Sequence, residues 1–150
     1  MKVVYNACFG GFSLSSKAIE RYAELAGMTL YPEPSSFHRG EGDLENCTLW
    51  KVPPDQRKPR LRQEDWYKAS QEEREAANNF YSQNTFYPRD LERHDPLLVQ
   101  VVEELGDDAS GTYARLRIED VPSGMQYRID EYDGSERVMT REDYEWKTAL

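Results

Sequence analysis

The chain has 150 residues, of which 38% are hydrophobic, and its three Trp, ten Tyr and five Phe supply enough apolar surface for one packed core. No apolar run approaches the roughly 20 residues that span a bilayer, and the chain opens on a strand-like run in place of a signal peptide, so we expect a cytoplasmic protein. Residues 1–62 hold 9 basic and 7 acidic residues, whereas residues 63–150 hold 10 and 21, which disfavours a protein that binds nucleic acid with its whole surface.

The first 27 residues predict a strand, a glycine-containing loop and a helix. Lys2–Tyr5 is an apolar strand, and the helix is expected from about Leu14 to Ala26. Ser13 or Ser15 can serve as its N-cap, and Gly27 stands where a left-handed residue ends a helix.

A second strand and an irregular insert follow. Met28–Tyr31 predicts a strand that ends at Pro32 and Pro34. A strand, a helix and a strand of this length predict a βαβ unit with parallel strands and a right-handed crossover. Residues of about 32–69 are rich in Pro and Gly, and within this insert only Thr48–Val52 has a strand pattern.

Two later helices carry clear start signals. Ser70 begins a capping box. Asp95 is a good N-cap and Pro96 a good first residue for a helix that ends at Gly106. This last helix is apolar on nearly all sides at its beginning, so we expect it to lie centrally in the core.

The C-terminal third alternates apolar and polar residues in three short strands. Their predicted ranges are 112–119, 125–132 and 135–139. Asp133-Gly134 is a strong hairpin signal, and Thr140 resembles the first residue of a capping box for a short helix with Tyr144 and Trp146. We therefore predict one α+β domain over residues 1–150: an N-terminal strand-helix-strand unit plus a C-terminal antiparallel three-strand meander packed on a central helix.

The loop between the first strand and helix is the strongest candidate for a ligand site. Its glycines and serines can direct N–H groups and hydroxyls at an anion. The ligand-binding residues predicted here are Phe9, Gly10, Gly11, Phe12, Ser13 and Ser15. A tight turn with ordinary serine capping explains the same residues.

The loop matches no standard motif. It lacks the Gly-Lys-Ser/Thr of a P-loop and the glycine spacing of a dinucleotide fingerprint. Leu14 occupies the position where a cysteine phosphatase has an arginine. Cys8 has no recognisable base, so we expect a packing role, and we expect both Cys8 and Cys47 to be free thiols.

A charged segment, residues 89–95, precedes the apolar helix. An anion could bind there at Arg89, Arg93 and His94. A divalent metal could instead bind at Asp90, Glu92, His94 and Asp95, although the spacing matches no standard site. A solvated loop with local ion pairs is the simpler alternative, and we predict no metal, cofactor or catalytic residue.

Two further surfaces could contact an anion. On the outward face of the meander, Tyr113, Arg115 and Arg117 combine guanidinium groups with an aromatic ring, although cross-strand pairs produce the same pattern. The segment Arg57–Arg62 holds four cations in six residues. It is a solvated segment, an anion contact or, in a homodimer, a contact with an acidic face of the second subunit.

Three segments carry a resemblance to a known group of proteins. They are Val4-Tyr5-Asn6-Ala7-Cys8-Phe9-Gly10-Gly11-Phe12-Ser13-Leu14-Ser15, Asp95-Pro96-Leu97-Leu98-Val99-Gln100-Val101-Val102-Glu103-Glu104-Leu105-Gly106, and Ile129-Asp130-Glu131-Tyr132-Asp133-Gly134. Together they resemble a widespread group of small proteins of tailed bacteriophages and prophages. The resemblance covers roughly the first 27 residues and residues 88–135, and it leaves out about 32–87.

The resemblance implies a context. Small phage accessory proteins often counter bacterial defences, either by inhibiting a defence protein or by sequestering a nucleotide signal, as anti-Thoeris and anti-CBASS sponges do. We therefore expect a non-catalytic protein that captures a small anionic, nucleotide-like ligand in the host cytoplasm. An acidic inhibitor of a host defence protein that mimics nucleic acid is the second reading, and a metal-dependent nucleotide hydrolase that uses Asp90, His94 and Asp95 is the third.

Overall fold

The computed structural model describes residues 1–58, 61–144 and 148–150, without the side chain of Tyr144. The chain divides into two compact units. Unit 1 comprises Met1–Ala26 with Pro88–Leu150, and unit 2 comprises Gly27–Tyr87. The predicted insert therefore lies within unit 2. The predicted α+β class is confirmed, because helices are combined with strands that pair antiparallel.

Helices and strands alternate irregularly along the chain. The helices are α1 (Ser16–Ala26), α2 (Gln63–Lys68), α3 (Gln71–Asn84) and α4 (Pro96–Leu105). The strands are β1 (Lys2–Asn6), β2 (Tyr31–Pro34), β3 (Cys47–Trp50), β4 (Thr85–Phe86), β5 (Leu116–Asp120), β6 (Tyr127–Tyr132) and β7 (Ser135–Thr140). Short 3₁₀ turns occupy Pro54–Gln56, Pro88–Asp90, Gly106–Ala109 and Arg141–Tyr144.

The predicted parallel pairing of the first two strands is wrong. β1 pairs antiparallel with β5, with Val4 opposite Ile118, whereas β2 pairs with β3 in unit 2. Val3 and Val4 are both fully buried, so β1 is covered on both faces within unit 1. A strand that is buried on both faces is stabilised most by a neighbouring strand whose apolar residues lie in the same core. β5 is such a neighbour, because its Leu116 is buried.

β2 includes the two prolines that were expected to end it. Pro32 lies opposite Leu49 and Pro34 opposite Cys47. The order of the sheet is β2-β3-β4, so β2 is an edge strand. At an edge the missing N–H of a proline need not interrupt the ladder, which is why prolines are tolerated there.

The hairpin of β6 and β7 forms as predicted. Asp133 and Gly134 both have positive φ, 50° and 85°, as the two-residue turn requires. The three-strand meander does not form one sheet, however, because β5 pairs with β1 rather than with β6. Unit 1 therefore holds two two-stranded sheets, and the β1-β5 sheet joins the N-terminal strand to the C-terminal part of the chain.

Helix α4 lies in the core of unit 1, as predicted. Leu98 and Val101 are fully buried, and α4 contacts α1, β1 and β5. Asp95 caps α4: its Oδ1 accepts hydrogen bonds from the N–H groups of Leu97 at 2.8 Å and Leu98 at 3.3 Å. Its Oδ2 accepts a hydrogen bond from the Tyr22 hydroxyl of α1 at 2.8 Å, so one carboxylate both starts α4 and joins it to α1.

Unit 2 is built around Trp50 of β3, which is 4% exposed. The rings of Phe80 and Tyr81 from α3 pack against its indole, with centroids 6.5 and 5.5 Å away. The capping box of Ser70 is present at the start of α3, and an extended Ala69 separates α3 from α2.

Two predictions fall partly outside the described residues. Pro59 and Arg60 of the basic segment are not described, and neither are Trp146 and the side chain of Tyr144 in the predicted C-terminal helix. The expected signal for that helix is nevertheless visible, because the N–H of Thr140 donates to the Asp143 carboxylate at 2.7 Å.

The bond between Tyr22 and Asp95 predicts a loss of stability in alkali. Burial and this hydrogen bond raise the pKa of Tyr22 from 10.0 to about 12. Above pH 10 the unfolded chain loses the phenol proton while the folded chain retains it, so the free energy of unfolding should fall towards pH 12. Urea unfolding at increasing pH measures this, with Tyr22→Phe as the reference. The stability difference between the two proteins should shrink with pH, and a constant difference would contradict the assignment.

Candidate functional site

The predicted glycine loop, residues 8–13, is held by Asn6 at the end of β1. Asn6 is fully buried. Its Nδ2 donates to the carbonyl oxygens of Cys8 at 2.7 Å and Gly134 at 2.9 Å. Its Oδ1 accepts from the N–H of Arg115 at 2.8 Å and from the Cys8 thiol at 3.4 Å. Both donors and both acceptor sites of the carboxamide are used, and they join the glycine loop, the hairpin turn and the segment before β5.

Two glycines allow these backbones to meet. A Cβ on Gly10 would lie 1.7 Å from the carbonyl oxygen of Tyr113, and a Cβ on Gly134 would lie 2.4 Å from that of Phe9. The single proton of the Cys8 thiol is shared between Asn6 Oδ1 and the Tyr113 carbonyl oxygen, which lies 3.0 Å from the sulfur. The glycine loop is therefore packed between the hairpin turn and the segment that carries Tyr113.

The serines and Phe12 support the fold. Ser15 caps α1: its Oγ accepts from the N–H of Ala18 at 3.1 Å and donates to the carbonyl oxygen of Asp108. The carbonyl oxygen of Ser13 accepts from the N–H of Gly111 at 3.0 Å. Phe12 is 3% exposed, so its ring belongs to the core.

Arg93 forms an ion pair with the buried carboxylate of Glu136. Its two terminal nitrogens donate to the two carboxylate oxygens at 2.6 and 2.9 Å, and the guanidinium lies 3.6 Å from the centroid of the Phe12 ring. Glu136 is 7% exposed, and it also accepts from the backbone N–H of Asn6 at 2.8 Å. The charge of Arg93 is thus balanced within unit 1, and an anionic ligand would have to compete with Glu136 for it.

The other predicted arginines differ in their partners. Arg117 pairs with Asp107 at 3.0 Å. Arg89 is exposed, and its Nε donates to the carbonyl oxygen of Phe12 at 3.2 Å, which places it beside Gly11. Arg115 is exposed as well, and its backbone is bonded to Asn6 and Ala7. Neither Arg89 nor Arg115 has a carboxylate partner among the described residues.

Three large aromatic side chains are exposed on the segments that meet at Asn6. Phe9 is 69% exposed, Tyr113 76% and Tyr132 80%. They stand on the glycine loop, on the segment before β5 and at the end of β6. We call the exposed side chains of Phe9, Tyr113, Tyr132, Arg89 and Arg115 the loop surface. Large aromatic side chains left in water are typical of binding surfaces.

His94 lies in a groove of about 580 Å³ whose lining includes Met1 and Lys2 of the N-terminal segment and Val99 of α4. Its Nδ1 lies 2.5 Å from the Tyr127 hydroxyl, and the two rings meet edge to face. Burial of the phenol and the nearby negative charge of Glu92 raise the pKa of Tyr127.

The four residues considered as metal ligands, Asp90, Glu92, His94 and Asp95, do not form a metal site among the described residues. Asp95 is bonded to α4 and Tyr22, and no group of three or more His, Cys, Asp or Glu side chains comes together as metal ligands within the described ranges. Across the same ranges, no helix combines the length and the apolar character needed to cross a bilayer.

Two further arginines form ion pairs. Arg57 of unit 2 pairs with Glu33 at 3.2 Å and lies over the Trp50 ring, 5.6 Å from its centroid. On the outward face of β6, Arg128 pairs with Asp130 at 2.9 Å.

The sequence patterns did not reveal Asn6 or Glu136. Asn6 is a single polar residue at the end of an apolar strand, and Glu136 is one of many carboxylates in an acidic region. Comparison with known protein families, with curated proteins and with solved structures gave no match.

The ion pair predicts a large effect of a conservative change. Glu136→Gln should destabilise the fold by about 3 kcal/mol, because it leaves the mostly buried Arg93 without its counter-charge. Asp107→Asn is the matched control: the Asp107 side chain is 87% exposed, and losing its pair with Arg117 should cost less than about 1 kcal/mol. Urea unfolding measures both changes. Equal effects would show that the Arg93–Glu136 pair behaves as an exposed one.

Proposed function

We propose that the protein is a non-catalytic binding protein that captures a small anionic, nucleotide-like molecule at the loop surface. The observation that carries the proposal is that one buried amide joins the backbones of three segments that carry exposed aromatic residues. Arg115 lies on one of these segments, and the Arg89 side chain is bonded to the Phe12 carbonyl of another. A planar, negatively charged ligand matches these groups, because rings stack on its base and guanidinium groups bind its phosphates.

The glycine loop offers further contacts for an anion. The N–H groups of Gly10 and Gly11 have no acceptor in the described part of the chain, and Arg89 lies beside Gly11. Backbone N–H groups together with a guanidinium bind phosphate oxygens well. Of the anion-binding residues predicted from sequence, Arg89 and Arg115 fit this role best, since Arg93 and Arg117 already have carboxylate partners.

The biological role that we propose is phage counter-defence by sequestration of a nucleotide-derived immune signal in the host cytoplasm. It is supported by the resemblance to phage and prophage proteins. The segments that carry this resemblance lie close together: Gly134 packs on Phe9, and Arg93, which packs on Phe12, lies just before the capped start of α4.

The proposal predicts a charge-dependent affinity. In isothermal titration against a panel of cyclic dinucleotides and ADP-ribose derivatives, the wild-type protein should bind at least one compound. Arg89→Ala combined with Arg115→Ala should weaken that binding at least about tenfold, because two charge-assisted contacts are lost. Arg21→Ala is the control, since Arg21 lies on α1 and pairs with Glu104.

Two results would contradict this proposal. Absence of heat with every compound removes the ligand class. Recovery of a cleaved compound after heat denaturation of the complex removes capture and favours hydrolysis.

The charge distribution favours a second function, binding of a basic surface on a host defence protein. Residues 63–150 hold 21 acidic and 10 basic residues. The first turn of α3 carries Glu72 and Glu73, and α3 has no buried residue. A solvated acidic helix can contact the basic groove of a nucleic-acid-binding protein by mimicking phosphates.

This second function predicts a salt-sensitive partner. A pull-down from host lysate should capture a basic protein at low ionic strength and lose it at high ionic strength, because screening weakens contacts between exposed charges. Glu72→Gln combined with Glu73→Gln should reduce the capture, whereas Glu119→Gln on β5 should not. A clean eluate at low salt, or capture independent of salt, would oppose it.

A further inference from the structure

We infer that Asn6 is the positioning residue of the loop surface, the group that sets the spacing between its aromatic side chains. A role of Asn6 in ligand binding rests on the proposed function. Its effect on the three segments can be measured without any ligand. Asn6 is fully buried, so it contacts no ligand itself and acts through the backbones that it joins.

Each bond of the Asn6 carboxamide ends close to one exposed ring. Nδ2 binds the carbonyl of Cys8, one residue before Phe9. It also binds the carbonyl of Gly134, two residues after Tyr132. Oδ1 binds the N–H of Arg115, two residues after Tyr113. One rigid, planar group therefore connects the three segments that carry the rings.

Close packing leaves these segments little freedom to move inward. The backbones approach until a methyl group would no longer fit, both between Gly10 and Tyr113 and between Gly134 and Phe9. Glu136 fixes the carboxamide in turn, because it accepts the backbone N–H of Asn6 and is held by Arg93. Close packing therefore limits how far the three segments can approach one another, and the hydrogen bonds of the Asn6 carboxamide fix their relative positions.

Removal of the amide should loosen all three segments at once. The carbonyls of Cys8 and Gly134 and the N–H of Arg115 would lose their partner in the interior, and buried polar groups without a partner move to reach water. The rings carried by these segments would then lose their common orientation. A preorganised surface binds more tightly than a mobile one, because no ordering entropy is lost on binding.

Two variants test this inference by different routes. Asn6→Ala removes the amide. Gly134→Ala leaves the amide intact but adds a methyl group that would lie 2.4 Å from the Phe9 carbonyl, at a φ of +85° that disfavours alanine. If Asn6→Ala does not fold, Gly134→Ala still tests whether displacing one segment disturbs the others. Tyr22→Phe is the control, because it removes a hydrogen bond between α1 and Asp95 and leaves the loop surface untouched.

Amide hydrogen exchange followed by NMR is the readout. In both test variants the amides of Ala7, which donates to the Arg115 carbonyl, and of Arg115 should exchange at least about tenfold faster than in Tyr22→Phe, after correction for global stability measured on the amides of α4. The same amides should show changed chemical shifts. Exchange and shifts equal to those of the control in both variants would overturn the inference.

Titration with the same compound panel separates the two proposals. If the wild-type protein binds a compound, Asn6→Ala should bind it at least about tenfold more weakly at unchanged stoichiometry, and unchanged affinity would overturn the positioning role alone. If the wild-type protein binds none, the proposed function fails, and the exchange measurement still decides whether Asn6 sets the spacing.

Discussion

The buried polar network at the end of β1 is the constraint on which unit 1 depends. Asn6, Glu136 and Arg93 come from β1, from β7 and from the segment before α4. Glu136 accepts hydrogen bonds from the Asn6 backbone and from Arg93, while the Asn6 carboxamide binds the backbones of Cys8, Gly134 and Arg115. An unpaired buried polar group costs about 1–3 kcal/mol. Any shift of one segment would leave several such groups without partners, so the network allows one arrangement of the loop, the hairpin turn and the helix start.

The arginines near this network differ in their surroundings: Arg93 takes part in it, whereas Arg89 and Arg115 are exposed. Arg93 is drawn inward, where Glu136 balances its charge and the Phe12 ring covers one face of the guanidinium. Arg89 and Arg115 stay in water next to the same segments. Exposed aromatic residues and arginines without a carboxylate partner thus lie on or beside the segments that the buried polar groups join, which is the basis of the binding function that we propose.

Local signals in the sequence gave accurate element boundaries because their physics is local. The cap of α4 at Asp95, the capping box at Ser70, the Gly27 position after α1 and the Asp133-Gly134 turn all depend on residues within one turn of chain. The pairing of strands was less predictable. β1 pairs with β5 rather than with β2, and this pairing depends on the residues that bury Val3 and Val4. Those residues lie about a hundred positions further along the chain.

The sequence by itself determined the α+β class, the starts of α3 and α4, the hairpin turn and the residue types that the proposed binding surface contains. Only the tertiary structure decided which of those residues meet. It paired Arg93, but not Arg89, with Glu136. It also placed His94 in a groove, with its ring against Tyr127. The glycine loop illustrates the difference. Its glycines predict a turn, but their need for close approach arises from Tyr113 and Gly134, and no local pattern encodes contacts between segments so distant in the chain.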